Sequence, residues 1–320
     1  MAAPASGIIG HEKIVSFLTR SLAGGRLSQA YLFVGPSGVG KTAVAEWLIK
    51  KILGAQGFDH PDVTVLSRLV DEKTEKVKSE IVVDQVRKLR ERLSMSGFMG
   101  GPKFAFIEEA DVLNTEASNA LLKTLEEPTS GTTLILRATS VDRVLPTIAS
   151  RCQIIRFTSV SRLKIVEALA SRGVIKKEAE ALAALSGGCP GYALNLLRDE
   201  ETRSLEETSV EQFVDLLRSP VSVRLARAAD LLPKDEVNKK EQLKNLLDRW
   251  EWLLRDVLLI SVGSEEWAPR AVAYPEIIKI AKDKNTDHWL KALENLRVIK
   301  NDLAFHVNPT LALEHLFLSF

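Results

Sequence analysis

Ala30-Tyr-Leu-Phe-Val34-Gly35-Pro-Ser-Gly-Val-Gly40-Lys41-Thr42 decides the fold. A five-residue apolar run passes straight into Gly, four residues, then Gly-Lys-Thr, the pattern of a phosphate-binding loop (P-loop). Glycines let such a loop wrap closely around a phosphate and aim successive backbone N–H groups at it. The helix that follows adds the positive end of its dipole. On this reading Gly35, Pro36, Ser37, Gly38, Val39, Gly40, Lys41 and Thr42 cradle a nucleotide. Lys41 reaches the β- and γ-phosphates, and the Thr42 hydroxyl ligates Mg²⁺. A strand before the loop and a helical pattern after it are the context the motif requires.

Four further β-rich runs follow: Val63-Thr-Val-Leu66, Phe104-Ala-Phe-Ile107, Thr133-Leu-Ile-Leu136 and Gln153-Ile-Ile-Arg-Phe157. Helical patterns at about 42–53, 82–93 and 115–126 lie between them. That alternation predicts a parallel sheet with crossover helices. The third run ends in Glu108-Glu109, an acidic pair placed to hold Mg²⁺ through water (Glu108) and to orient or activate an attacking water (Glu109). After Phe157 the strands stop. Three helices are expected next: Ser161 to about Ser171, about 176–185, and one from near Tyr192, after the breakers Ser186-Gly-Gly-Cys-Pro-Gly191. From about 204 the pattern is helical throughout, with breaks at Pro220, Pro233, Gly263, Pro275 and Pro309. The expected domains are 1–159, 160–203 and 204–320.

With 43 Lys+Arg against 42 Asp+Glu in 320 residues, the net charge is +1, so the chain is not a strong nucleic-acid binder by itself. A local basic patch is still present: Arg87, Lys88 and Arg90 share one predicted helix. Met95, Phe98 and Met99 beyond it read as core or interface residues. Two cysteines, Cys152 and Cys189, are too few for a disulfide framework or a four-cysteine zinc site. Met1–Ser6 lacks the pattern of a signal peptide, and no apolar run has membrane-spanning length, so a soluble cytoplasmic protein is expected.

Longer strings carry a resemblance. Glu108-Glu-Ala-Asp111, Ser118-Asn-Ala-Leu-Leu-Lys-Thr-Leu-Glu-Glu-Pro128 and Leu145-Pro-Thr-Ile-Ala-Ser-Arg-Cys-Gln153 closely resemble bacterial DNA polymerase clamp-loader subunits. Ile9-Gly10, His60-Pro-Asp62 and Asn308-Pro-Thr-Leu-Ala-Leu-Glu-His-Leu316 are similar as well. The resemblance implies an α/β P-loop AAA+ module with a parallel five-stranded sheet, a small helical lid domain and an all-α C-terminal collar domain. It implies a subunit of the DNA polymerase III clamp loader that binds ATP or ADP with Mg²⁺, Ile9 joining the nucleotide residues. Its partners would be tau/gamma-like and delta-like loader subunits, the sliding clamp, and primed DNA, whose backbone Arg87, Lys88 and Arg90 would track.

By the same resemblance Thr139 stands at the position that reads the γ-phosphate. Arg151 stands at the arginine finger, which acts in trans on a neighbour's nucleotide. Three departures matter. Glu108-Glu109 replaces Asp-Glu, which implies weakened hydrolysis by this chain. Tyr192 stands where many motor subunits carry a nucleotide-sensing arginine. The segment Leu53–His60 lacks the cysteines of the family's zinc module, so no zinc is expected. The delta-prime type is favoured over tau/gamma by His60-Pro-Asp62 with Glu-Ala-Asp111, by the chain ending at the collar-like helix, and by weak hydrolytic residues beside an intact finger. A motor ATPase and a nucleotide-insensitive scaffold remain the alternatives.

Overall fold

Strands β1 (Ala30–Val34), β2 (Val63–Leu66), β3 (Lys103–Ile107), β4 (Thr132–Ala138) and β5 (Gln153–Arg156) form one parallel sheet in the order β2-β3-β4-β1-β5. The computed structural model describes residues 7–54, 56–71, 77–95, 97, 101–228, 230–232, 236–268, 274–303 and 307–320. Phe98, Met99 and Pro233 lie outside the described residues. All of β1 is buried, because β4 flanks it on one side and β5 on the other while helices cover its faces. This is why central strands of parallel sheets read as unbroken apolar runs.

Five helices belong with the sheet: α1 (Glu12–Ala23), α2 (Lys41–Leu53), α3 (Val83–Ser94), α4 (Thr115–Glu126) and the single turn α5 (Pro146–Ala149). Side chains alternate across the strands. Ala30, Leu32 and Val34 join Leu134, Leu136 and Ala138 against Val86 and Leu89 of α3, Leu121 of α4 and Ile148 of α5. Tyr31, Phe33, Ile135 and Arg137 therefore face the opposite side. There Phe33 packs on Phe157 at 5.2 Å between ring centroids. Helix α4 starts where the Asn114 side chain accepts the Ala117 N–H at 2.8 Å.

The chain forms two compact units: residues up to Lys164 with Cys189–Gly191, and Ile165–Gly188 with Tyr192–Phe320. Helix α6 (Arg162–Ala170) crosses that boundary. The second unit contains α7 (Lys176–Leu185), most of α8 (Pro190–Arg198), α9 (Glu200–Arg218), α10 (Val221–Ala228), α11 (Glu236–Ser261), α12 (Pro275–Asp283), α13 (Thr286–Asp302) and α14 (Pro309–Phe317). Helix α8 begins at Pro190, two residues ahead of the expected start. Asp199 caps α9 through the Thr202 N–H, and Asn285 caps α13 through the His288 N–H. Pro275 and Pro309 occupy first helical positions, where a missing N–H costs nothing.

The core of this unit is built round Trp250, with Phe213 at 5.9 Å and Phe317 at 6.1 Å between ring centroids. The indole N–H of Trp250 donates to the Ser209 carbonyl at 3.2 Å. No helix among the described residues is long and apolar enough to cross a membrane.

Candidate nucleotide-binding site

In a parallel sheet of this kind, loops at the carboxyl ends of the central strands form the binding crevice. Three loops converge there: Gly35–Gly40 after β1, Glu108–Asp111 after β3, and Thr139 after β4. The P-loop is held from several directions. A Cβ on Gly35 would lie 2.4 Å from the Phe157 carbonyl oxygen, and its φ is +152°, so only glycine fits. Nε2 of His11 lies 2.7 Å from the Val39 carbonyl, and its ring stands edge-on to Phe157 at 5.0 Å. Burial lowers the His11 pKa, and the carbonyl partner places the proton on Nε2. Ile9, two residues earlier, is buried. The Gly191 N–H donates to the Gly38 carbonyl at 2.7 Å, and a Cβ on Gly191 would stand only 2.9 Å from that oxygen.

Lys41 is buried, and its ammonium donates to the carbonyls of Gly35 and, at 2.7 Å, Pro36. Burial first, and then the charge of Arg137, hold its pKa down to about 8. Arg137, on the α2 side of β4, donates from Nη1 to Thr42 Oγ1 at 2.7 Å and from Nε to the Glu108 carbonyl at 2.5 Å. Among the described residues no carboxylate lies within 4.0 Å of either cation. Asp111 acts on Lys41 only through space. The Thr42 hydroxyl therefore does not fit a metal as it stands, because the Arg137 guanidinium donates to that oxygen; at Glu108 the guanidinium meets the main-chain carbonyl, not the carboxylate.

Glu109 is also engaged. Arg68 grips both of its oxygens, Nε to Oε2 at 2.7 Å and Nη2 to Oε1 at 3.0 Å. Thr139 donates its N–H (3.1 Å) and its hydroxyl (2.5 Å) to the same oxygen of Asp111. Neither Arg68 nor Arg137 was anticipated from the sequence. Arg151, beyond α5, donates to the Thr147 carbonyl at 3.0 Å and to Glu126 at 2.6 Å, and 38% of its side chain is exposed. Cys152 beside it is a partly buried thiol pushed up to about 12 by burial.

The sequence model of the family described as "DNA polymerase III, delta subunit" matches residues 10–161. DNA polymerase III subunit delta' of Pseudomonas aeruginosa is 36% identical over 224 residues, covering 63% of this chain and 66% of that protein. DNA polymerase III subunit delta' of Bacillus subtilis is 27% identical over 96% of this chain and 94% of its own length. DNA polymerase III subunit gamma of a Buchnera aphidicola strain is 28% identical over 81% of this chain and 73% of its own.

The chain belongs to the bacterial DNA polymerase III clamp-loader subunits.

In this clamp-loader subunit the sequence-predicted residues fall into separate groups. Gly35–Thr42, Glu108, Glu109 and Thr139 gather at the carboxyl ends of the central strands. Among the described residues, the hydrogen bonds of Arg151 go to Thr147 and Glu126 and not to this group. Arg87, Lys88 and Arg90 are exposed on α3, with Arg87 paired to Asp84 at 3.0 Å. Arg87 and Arg90 also line a cavity of about 680 Å³ together with Lys123 and Thr124 of α4. Tyr192 makes a side-chain bond within the second unit. Its hydroxyl donates to Glu206, a 3%-exposed carboxylate that also accepts from Arg249 at 2.8 Å.

Proposed function

We propose that this chain acts as the delta-prime-type subunit of the loader. It holds ATP or ADP at its own P-loop, hydrolyses it poorly, and supplies Arg151 to the nucleotide of an adjacent subunit. The observation that carries this reading is the contrast between two side chains. Glu109, the residue that would direct water in this chain's own site, has both oxygens taken by Arg68. Arg151 is exposed and, among the described residues, bonds only to Glu126 and Thr147.

An ion pair as exposed as Arg151–Glu126 contributes about 0–1 kcal/mol, so a neighbour's phosphate can displace the carboxylate at little cost. A planar, permanently charged guanidinium then stabilises charge that develops on a transferred phosphoryl group. The delta' names of two relatives support the same choice. The remaining roles follow from this one. Residues 1–159 would be the nucleotide-binding domain, 160–203 the lid and 204–320 the collar. Its partners would be tau/gamma-like and delta-like subunits, the sliding clamp and primed DNA in the cytoplasm. Arg87, Lys88 and Arg90 would contact DNA phosphates without reading sequence.

The test is ATP turnover by the reconstituted loader with clamp and primed DNA. Arg151→Ala is expected to lower turnover at least about tenfold while the subunits still assemble, since fingers of this kind contribute orders of magnitude. Unchanged turnover in an assembled complex refutes the reading. The intact P-loop and the gamma-named relative favour a motor subunit as the second reading. Turnover by the isolated chain, abolished by Lys41→Ala, would establish that instead.

A further inference from the structure

We propose that the Arg137 guanidinium is the resident cation of this nucleotide site. It takes the place of Mg²⁺, so that the chain binds a nucleoside di- or triphosphate without a divalent metal. The inference rests on the reading that Gly35–Thr42 binds a nucleotide.

The argument begins with where the strand puts the side chain. Arg137 pairs with Phe33 in the β1–β4 register, between the buried Leu136 and Ala138. Strand alternation turns it to the α2 side, and two adjacent apolar neighbours on the far face fix that choice. From there it donates to Thr42 Oγ1, the hydroxyl assigned to a metal, at 2.7 Å, and is anchored by the main-chain carbonyl of Glu108 at 2.5 Å. A Mg²⁺ ion needs near-octahedral oxygens at about 2.0–2.1 Å and keeps several waters. Such an ion would have to share the Thr42 oxygen with a guanidinium and sit against its positive charge.

The charge balance points the same way. Lys41 and Arg137 are two neighbouring cations with no carboxylate in ion-pair range among the described residues. Two partly desolvated like charges are stabilised by an anion between them, and the P-loop adds backbone N–H groups that point to one. A guanidinium bonds phosphate oxygens through parallel donors, which a bare ammonium cannot do. It carries one positive charge where Mg²⁺ carries two. The chain would thus keep nucleotide affinity without metal.

The experiment is calorimetric titration of the purified full chain with ADP and with ATP, in excess Mg²⁺ and in EDTA. The wild type is expected to bind with the same Kd in both buffers, within about threefold. Arg137→Leu, which keeps the strand apolar, is expected to lose at least about tenfold in EDTA, as removal of a charge-assisted hydrogen bond implies. Added Mg²⁺ should restore part of that loss. Wild-type binding that weakens more than about tenfold in EDTA overturns the proposal and leaves the P-loop reading standing. Unimpaired binding by Arg137→Leu in EDTA also overturns it. No binding in either buffer overturns the nucleotide reading and the proposal together. Should Arg137→Leu fail to fold, the wild-type comparison between the two buffers decides by itself.

Discussion

Replacing Arg224 with methionine asks whether one guanidinium ties together the end of the C-terminal helical unit. Arg224 is buried and donates to four main-chain oxygens: Leu216 at 2.8 Å, Leu217 at 3.2 Å, Phe320 at 2.7 Å and, most weakly, Phe317 at 3.4 Å. The first two oxygens belong to the last turn of α9 and the other two to the segment that ends α14. Both are helix C-terminal ends, where unpaired carbonyls favour a cation. The two short bonds are charge-assisted and contribute about 1.5–3 kcal/mol each. Methionine recovers part of this through apolar contacts and by removing the desolvation penalty of a buried charge.

The expected net loss is about 2–4 kcal/mol. In a unit of about 150 residues this lowers Tm by roughly 5–15 °C. Differential scanning calorimetry and urea unfolding of the full chain would measure it. Arg224→Lys should lose nearly as much, since one ammonium cannot span both helix ends. If both variants stay within about 0.5 kcal/mol of wild type, the guanidinium is not what satisfies those carbonyls, and the reasoning fails.

Gly35→Ala is expected to destabilise the first unit by more than about 2 kcal/mol, because its Cβ meets the Phe157 carbonyl; a thermal melt identical to wild type would contradict this. Tyr192→Phe leaves Glu206 buried with Arg249 but one donor short, and should cost about 1–2 kcal/mol in urea unfolding. Burial alone would raise the pKa of Glu251, but hydrogen bonds from Lys300 and Arg297 outweigh it and hold the pKa below the usual 4.5. The stability from that cluster is therefore complete above about pH 4.5 and is lost as pH falls through the depressed value. Glu251→Gln should flatten that acid limb, and an unchanged acid-unfolding profile would sink the assignment.

Strands β1, β3 and β4 were legible because they are central and covered on both sides, so their sequences are largely apolar runs. The P-loop was legible because glycine, lysine and threonine at fixed spacing have few other uses. Helix α1 was not anticipated. Its first residue follows His11 in a left-handed conformation with no side-chain cap, so no polar start signal precedes it. Strand β4 runs to Ala138 rather than stopping at Leu136, and this extension carries Arg137 into the site. The available signal was the charge itself, the one charged residue in a buried strand. Arg68 carried no comparable signal. It lies in an irregular segment after β2, and only the fold brings it across 41 residues of sequence to Glu109. Tyr192 was visible as a departure, but its partners Glu206 and Arg249 belong to helices distant in sequence.

The thiol of Cys152 has a practical consequence for experiments on the loader. Burial pushes this thiol up to about 12, so little of the reactive thiolate is present at pH 7 for maleimide reagents and mild oxidants to attack. Cys189, the other cysteine, is buried. The raised Cys152 thiol and the burial of Cys189 lower the background for thiol labelling of the native chain. A cysteine placed at an exposed site such as Lys88 would take a fluorophore selectively, next to the arginine helix whose encounter with DNA is to be watched.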